Sequence, residues 1–111
     1  MIAFACAVLY VSDGDTLRCQ DGTRVRLAGI DAPEMAGHCR PGRACTPGDP
    51  LASRAALSRL AAGRTLSCRS VRTSYNRVVA FCAAGGADLS CSMVRARRAV
   101  ARYANRERVC R

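Results

Sequence analysis

Residues Val11 to Glu34 read VSDGDTLRCQDGTRVRLAGIDAPE, and the two Asp-Gly pairs within them decide how the chain begins to fold. Asp13-Gly14 and Asp21-Gly22 each lie between short runs rich in Val, Leu and Thr, the pattern of tight hairpin turns. Three strands are predicted, Ala3–Ser12, Asp15–Gln20 and Thr23–Gly29. A two-residue turn at Asp21-Gly22 sets Gln20 opposite Thr23 and Leu17 opposite Arg26, since side chains two apart point the same way. Asp15, Leu17, Arg24 and Arg26 then share one face, with a carboxylate diagonal to a guanidinium. Pro33 ends regular pairing and holds Ala32 extended, which delivers Asp31 and Glu34 at the end of the third strand.

The chain has 18 basic residues, every one an arginine, against 8 acidic ones. Four of those 8 are Asp13, Asp15, Asp31 and Glu34. A chain poor in acids that gathers them in one stretch is placed to bind a cation with them. The formal net charge of +10 points to a polyanionic partner, nucleic acid first and an anionic membrane surface second. Arginine keeps its charge at any accessible pH and suits bidentate phosphate contacts.

A length of 111 residues fits a single domain spanning 1–111. With 3 Tyr, 2 Phe, no Trp and many alanines, the core must be small. The 8 cysteines supply staples, and their even number in a small basic chain fits a secreted or periplasmic protein. A zinc site is the poorer reading, since no Cys-x-x-Cys occurs and His38 is the only histidine. Cys39 and Cys45 close a short loop, and Cys6 and Cys19 lie close across the first hairpin. The expected order of elements brings Cys68 near Cys82 and Cys91 near Cys110, although spacing alone leaves the connectivity open. Met1 to Tyr10 reads as a buried strand, too short to cross a bilayer and without a basic leader or cleavage site. An export signal is therefore expected to lie outside this sequence, and no membrane insertion is expected.

Met35 to Gly48 reads as a surface loop carrying His38, an exposed histidine. Asp49 as cap, Pro50 in the first turn and Gly63 as stop define a helix from Pro50 to Ala62, with Leu51, Ala55, Leu57 and Leu60 on its apolar side. Arg64–Arg72 and Val78–Ala83 are two further strands, joined through Thr73-Ser74-Tyr75-Asn76, so Arg77 sits where a turn feeds a strand. A second helix is predicted from Asp88 to about Ala104, aligning Arg95, Arg98, Arg102 and Arg106 in one basic stripe. The stripe is a solvated face or the wall of a phosphate-tracking groove. The sum is an α+β chain, a five-stranded OB-type β-barrel with two to three helices, stapled by disulfides.

Asp13-Gly14-Asp15-Thr16, then Arg26-Leu27-Ala28-Gly29-Ile30-Asp31-Ala32-Pro33-Glu34, then Tyr75-Asn76-Arg77 closely resemble, in order and spacing, the core of the staphylococcal nuclease (thermonuclease) family. The resemblance extends over nearly the whole chain. It implies a calcium-dependent nuclease acting on DNA and RNA, cutting the 5′ P–O bond to leave 3′-phosphorylated products. By the same resemblance Asp15, Asp31 and the Ala32 main-chain carbonyl hold Ca2+, with Asp13 a nearby water-mediated contact. Glu34 is the general base, and Arg26 and Arg77 clamp the phosphoryl oxygens. Tyr75 and Tyr103 look like the family's tyrosines at a terminal phosphate and a base pocket. The chain departs from the family in alanine for threonine at Ala32, asparagine for glycine at Asn76 and serine for lysine at Ser74. The alternative is a non-catalytic OB-type nucleic-acid-binding module, although such modules lack the acids kept here. A monomer with no obligate protein partner is expected.

Overall fold

A computed structural model describes all of residues 1–111. The elements run β1 (Ala3–Asp13), β2 (Thr16–Cys19), β3 (Arg24–Leu27), β4 (Ile30–Asp31), α1 (Pro50–Ala61), β5 (Thr65–Ser74), β6 (Arg77–Ala84), β7 (Ala87–Asp88), α2 (Leu89–Arg95) and β8 (Val100–Ala101), with a 3₁₀ turn at Arg106–Arg108. The long sheet has the order β3-β2-β1-β5-β6-β7. Parallel pairing of β3 with β6, Val25 opposite Val78 and Leu27 opposite Ala80, closes β1, β2, β3, β5 and β6 into a barrel. No helix is long and apolar enough to cross a membrane.

Inside the barrel the strands alternate as half-buried strands must. Cys6, Val8, Leu17, Cys19, Val25, Leu27, Leu66, Cys68, Ala80 and Cys82 point inward with Ile30, and Leu57, Leu89 and Met93 of the helices cover them. No aromatic side chain is in this buried set. Disulfides join Cys6–Cys19 and Cys68–Cys82 within the core, and Cys39–Cys45 and Cys91–Cys110 outside it. All four are the pairs read from the sequence.

The β2–β3 register differs from the expectation by one residue. Thr16 faces Arg26, Leu17 faces Val25 and Arg18 faces Arg24. Gln20, Asp21 and Gly22 form a three-residue loop, with Cys19 N donating to Thr23 O and Gly22 at φ +93°. That left-handed glycine is the usual third residue of such a loop. Because a one-residue slip exchanges faces, Leu17 points into the core while Arg24 and Arg26 lie with Thr16 and Arg18 on the other face.

Helix α1 starts as expected, with the Asp49 carboxylate accepting from the Leu51 and Ala52 amides at 2.9 and 3.2 Å. Its buried stripe is Ser53, Ala56, Leu57 and Ala61. Leu51 and Ala55, assigned to the apolar side, are exposed instead, because the helix is rotated to seat Ser53 against the turn between β1 and β2. A Cβ on Gly14 would come within 1.8 Å of Ser53 Oγ.

The second helix is far shorter than expected and ends at Arg95. Arg97 turns left-handed at φ +58°, and the chain returns as β8 beside β4, Ile30 opposite Ala101 and Asp31 opposite Val100. The reversal brings Cys110 back beside Cys91, and the Cα atoms of that bridged pair are 4.7 Å apart. The expected Arg95, Arg98, Arg102 and Arg106 stripe therefore does not form.

Candidate functional site

A cleft of about 750 Å³ opens beside the turn between β1 and β2. Its walls come from the turn between β1 and β2, the outer face of β2 and β3, the turn between β5 and β6, the loop before α1, and Tyr103. Four acids, Asp13, Asp15, Asp31 and Glu34, and six arginines line it, together with His38, Tyr75 and Tyr103. The fold thus gathers half the acids of the chain into one cavity.

Arg26 is the hub. Its Nη1 donates to the Leu27 and Ile30 carbonyls at 3.0 and 2.9 Å. Its Nη2 lies 3.1 Å from Asp31 Oδ1 and 3.3 Å from Asp15 Oδ2. The pairing with Asp15 survives the register change because Asp15 sits in the turn, ahead of β2, where alternation of faces does not bind it.

Asp15 is buried and accepts from Thr16 Oγ1 and from the Ala32 amide, both at 2.9 Å. Burial pushes its carboxyl up from 3.8 to about 6; Arg26 pulls it down, and the neighbouring Asp13 carboxyl adds to the rise. Desolvation outweighs the single cation contact and the hydrogen bond from the Ala32 amide. Asp31, also buried, accepts from Arg26, from Thr46 Oγ1 at 2.5 Å and from Arg102 Nη1 at 3.4 Å.

Arg77 follows a two-residue turn in which Tyr75 and Asn76 adopt φ +52° and +62°. Both being left-handed makes it the tight hairpin type that asparagine tolerates. Arg77 Nε reaches only the Ser74 carbonyl, at 3.4 Å, and no carboxylate lies within ion-pair distance of its guanidinium. Burial, and then the charge of Arg26, weaken its hold on its proton. The nearby charges of Asp15 and Asp13 offset part of that effect.

Glu34, half-buried, is held by Arg43 of the loop before α1. Tyr103, at φ +68°, accepts from Arg43 Nη2 at 2.8 Å, and the Arg102 guanidinium stacks 4.8 Å from its ring centre. Tyr75 projects from its turn almost fully exposed.

The donor chemistry fits a hard cation. Asp15 and Asp31 offer buried carboxylate oxygens, and Asp13 stands beside Asp15. No three Asp, Glu, His or Cys side chains converge by themselves, so main-chain carbonyls and water would have to complete the shell. Ala32 adjoins the acids with its amide on Asp15, but it does not line the cleft.

Sequence reading missed Arg43, Thr46 and Arg102. The first two lie in an aperiodic loop, and Arg102 had been placed on a helix. The one usable signal was the Cys39–Cys45 pair, which marks that loop as ordered. No family model matches the chain, and no curated protein matches it.

Proposed function

We propose that this protein is a calcium-dependent nuclease of the staphylococcal nuclease type, hydrolysing DNA and RNA phosphodiesters without sugar preference. The observation that carries the reading is the unpaired, half-buried Arg77 guanidinium, set in one cleft with Arg26, Glu34 and the Asp15–Asp31 pair. Binding alone accounts for the arginines and leaves the buried acids without a role.

The barrel supports a nucleic-acid substrate. Its strands run 1-2-3-5-4-1, with α1 between the third and fourth, the order of an OB barrel. OB barrels bind oligonucleotides on strands 2–3 and on the loops joining strands 1–2 and 4–5. The cleft here is lined by Thr16, Arg24 and Arg26 of those strands and by Asp13, Asp15 and Tyr75 of those turns.

In the reaction, Arg26 and Arg77 grip the non-bridging phosphoryl oxygens and gain strength as negative charge builds there. Glu34 takes a proton from the attacking water as its oxygen bonds to phosphorus. The P–O5′ bond breaks, the leaving oxygen, its charge eased by Arg77, takes a proton from solvent, and a 5′-hydroxyl and a 3′-phosphate result. Ca2+, when bound by Asp15, Asp31 and the Ala32 carbonyl, neutralises phosphoryl charge. Tyr75 and Tyr103, which line the cleft, would contact a terminal phosphate and a base. Four disulfides are at home in an oxidising compartment, so a secreted or periplasmic monomer is the matching setting.

The test is hydrolysis of single-stranded DNA by the oxidised protein, with calcium and with excess chelator, beside Glu34→Ala. Calcium-dependent cleavage, with a loss of about 10²-fold or more in the variant, is expected for a general base. Salt-sensitive binding without cleavage under any metal would instead make the chain a non-catalytic binding module.

A further inference from the structure

Glu34 has one side-chain partner in the whole molecule, the guanidinium of Arg43. The Tyr103 hydroxyl also has one, the other arm of the same guanidinium, at 2.8 Å. A planar fork that holds two groups at once fixes one relative to the other. Arg43 Nη2 further lies 3.8 Å from Asp31 Oδ1, so the fork spans the base, the tyrosine and the buried acid. The Tyr103 and Glu34 contacts both strengthen the hold of Arg43 on its proton.

Arg43 owes its place to the loop around it. The Cys39–Cys45 disulfide closes the segment that contains it, with the two Cα atoms 6.1 Å apart. Beyond Arg43, the Ala44 carbonyl accepts from Arg102 Nη1 at 2.9 Å and Thr46 Oγ1 donates to Asp31. The loop is thus tied to the site just C-terminal to Arg43 and closed on its other side only by the disulfide, which stands outside the barrel core.

We propose that Arg43 is the positioning residue for the general base, holding the Glu34 carboxylate and the Tyr103 hydroxyl in register, and that the Cys39–Cys45 disulfide holds Arg43. The proposal rests on the nuclease reading. It goes beyond that reading by assigning the loop before α1 a part in turnover, one that leaves the barrel unaltered.

A double-mutant cycle tests it, with kcat and KM measured for wild type, Glu34→Gln, Arg43→Ala and the double variant. Arg43→Ala should lower kcat by about tenfold or more in wild type and by less than about twofold in Glu34→Gln, because it acts through Glu34. Arg43→Lys, a cation without the fork, should recover part of the loss. Cys39→Ser/Cys45→Ser should match Arg43→Ala while keeping a cooperative thermal transition.

Equal losses in both backgrounds, or a loss confined to KM, overturn the proposal and leave the nuclease reading standing. A wild type that cleaves nothing overturns both. Independently of turnover, nuclear Overhauser contacts should join the Arg43 guanidinium to the Tyr103 ring, one of 3 tyrosines to assign. Those contacts should vanish in Cys39→Ser/Cys45→Ser; their absence from wild type, or their persistence in that variant, overturns the role of the loop.

Discussion

At Asp15, desolvation and ion pairing pull in opposite directions, and the balance has a measurable sign. Its folded carboxyl titrates near 6 against an ordinary value of 3.8. The folded protein therefore holds this proton more tightly than the unfolded chain. The stabilisation from protonated Asp15 is full below about pH 4 and is lost as pH rises to about 6, on the order of 3 kcal/mol in all. Chemical denaturation of the chelated protein across this window should show the decline, and Asp15→Asn should abolish it. Calcium should bind more weakly below pH 6, where it must displace the proton. A flat stability difference between wild type and Asp15→Asn from pH 4 to 7 would assign the titration elsewhere. The gathering of Asp15, Arg26, Asp31 and Glu34 was legible in the sequence because all four lie within one short stretch. Arg43 and Arg102 were not, because nothing local ties them to it.

Elements here are set by close approaches as much as by propensity. The turn between β1 and β2 presents Asp15 to the cleft while its other side presses on α1, where Gly14 leaves no room for a side chain. Gly14→Ala should therefore cost about 1–3 kcal/mol through overpacking and weaken calcium binding as the turn shifts. Urea unfolding and calcium titration would check the two effects; a variant as stable as wild type would show that α1 can retreat freely. Gly29, at φ +78°, meets the returning tail in the same way, with Val109 Cγ2 2.6 Å from where its Cβ would stand. The presence of the hairpins and the start of α1 were readable because Asp-Gly signals and an Asp-Pro cap act over a few residues. The first turn, however, is Gly14-Asp15, with Asp13 opposite Thr16, and not Asp13-Gly14. The register of β2 on β3 was not, since two- and three-residue loops share the same Asp-Gly signal and burial of Leu17 and Val25 chooses between them.

For the whole molecule, staples substitute for aromatic bulk. Cys68 and Cys82 face each other directly on β5 and β6, both buried, and their bridge spans 14 residues. Cys68→Ala/Cys82→Ala should lower unfolding free energy by about 2–4 kcal/mol, read from denaturant curves. A loss near zero would mean that the barrel closes without it. Charge acts at the same scale. If the six cleft arginines each neutralise a phosphate, affinity for single-stranded DNA in chelator should fall roughly 300-fold between about 50 and 200 mM salt. A fall under about tenfold would show that most of them do not reach the strand.

By itself the sequence determined the barrel strands, the start of the first helix and the core of the acid and arginine cluster, while it left the disulfide connectivity open. These follow from turn chemistry, alternation and short spacing, which act locally. Tertiary structure alone decided the strand register, the early end of α2 and the loop partners of Glu34 and Asp31. Each depends on contacts between residues distant in the chain: core burial for the register, the pairing of β8 with β4 for the tail, and the Arg43 fork for Glu34. Such contacts are satisfied in three dimensions and leave no periodic trace along the chain.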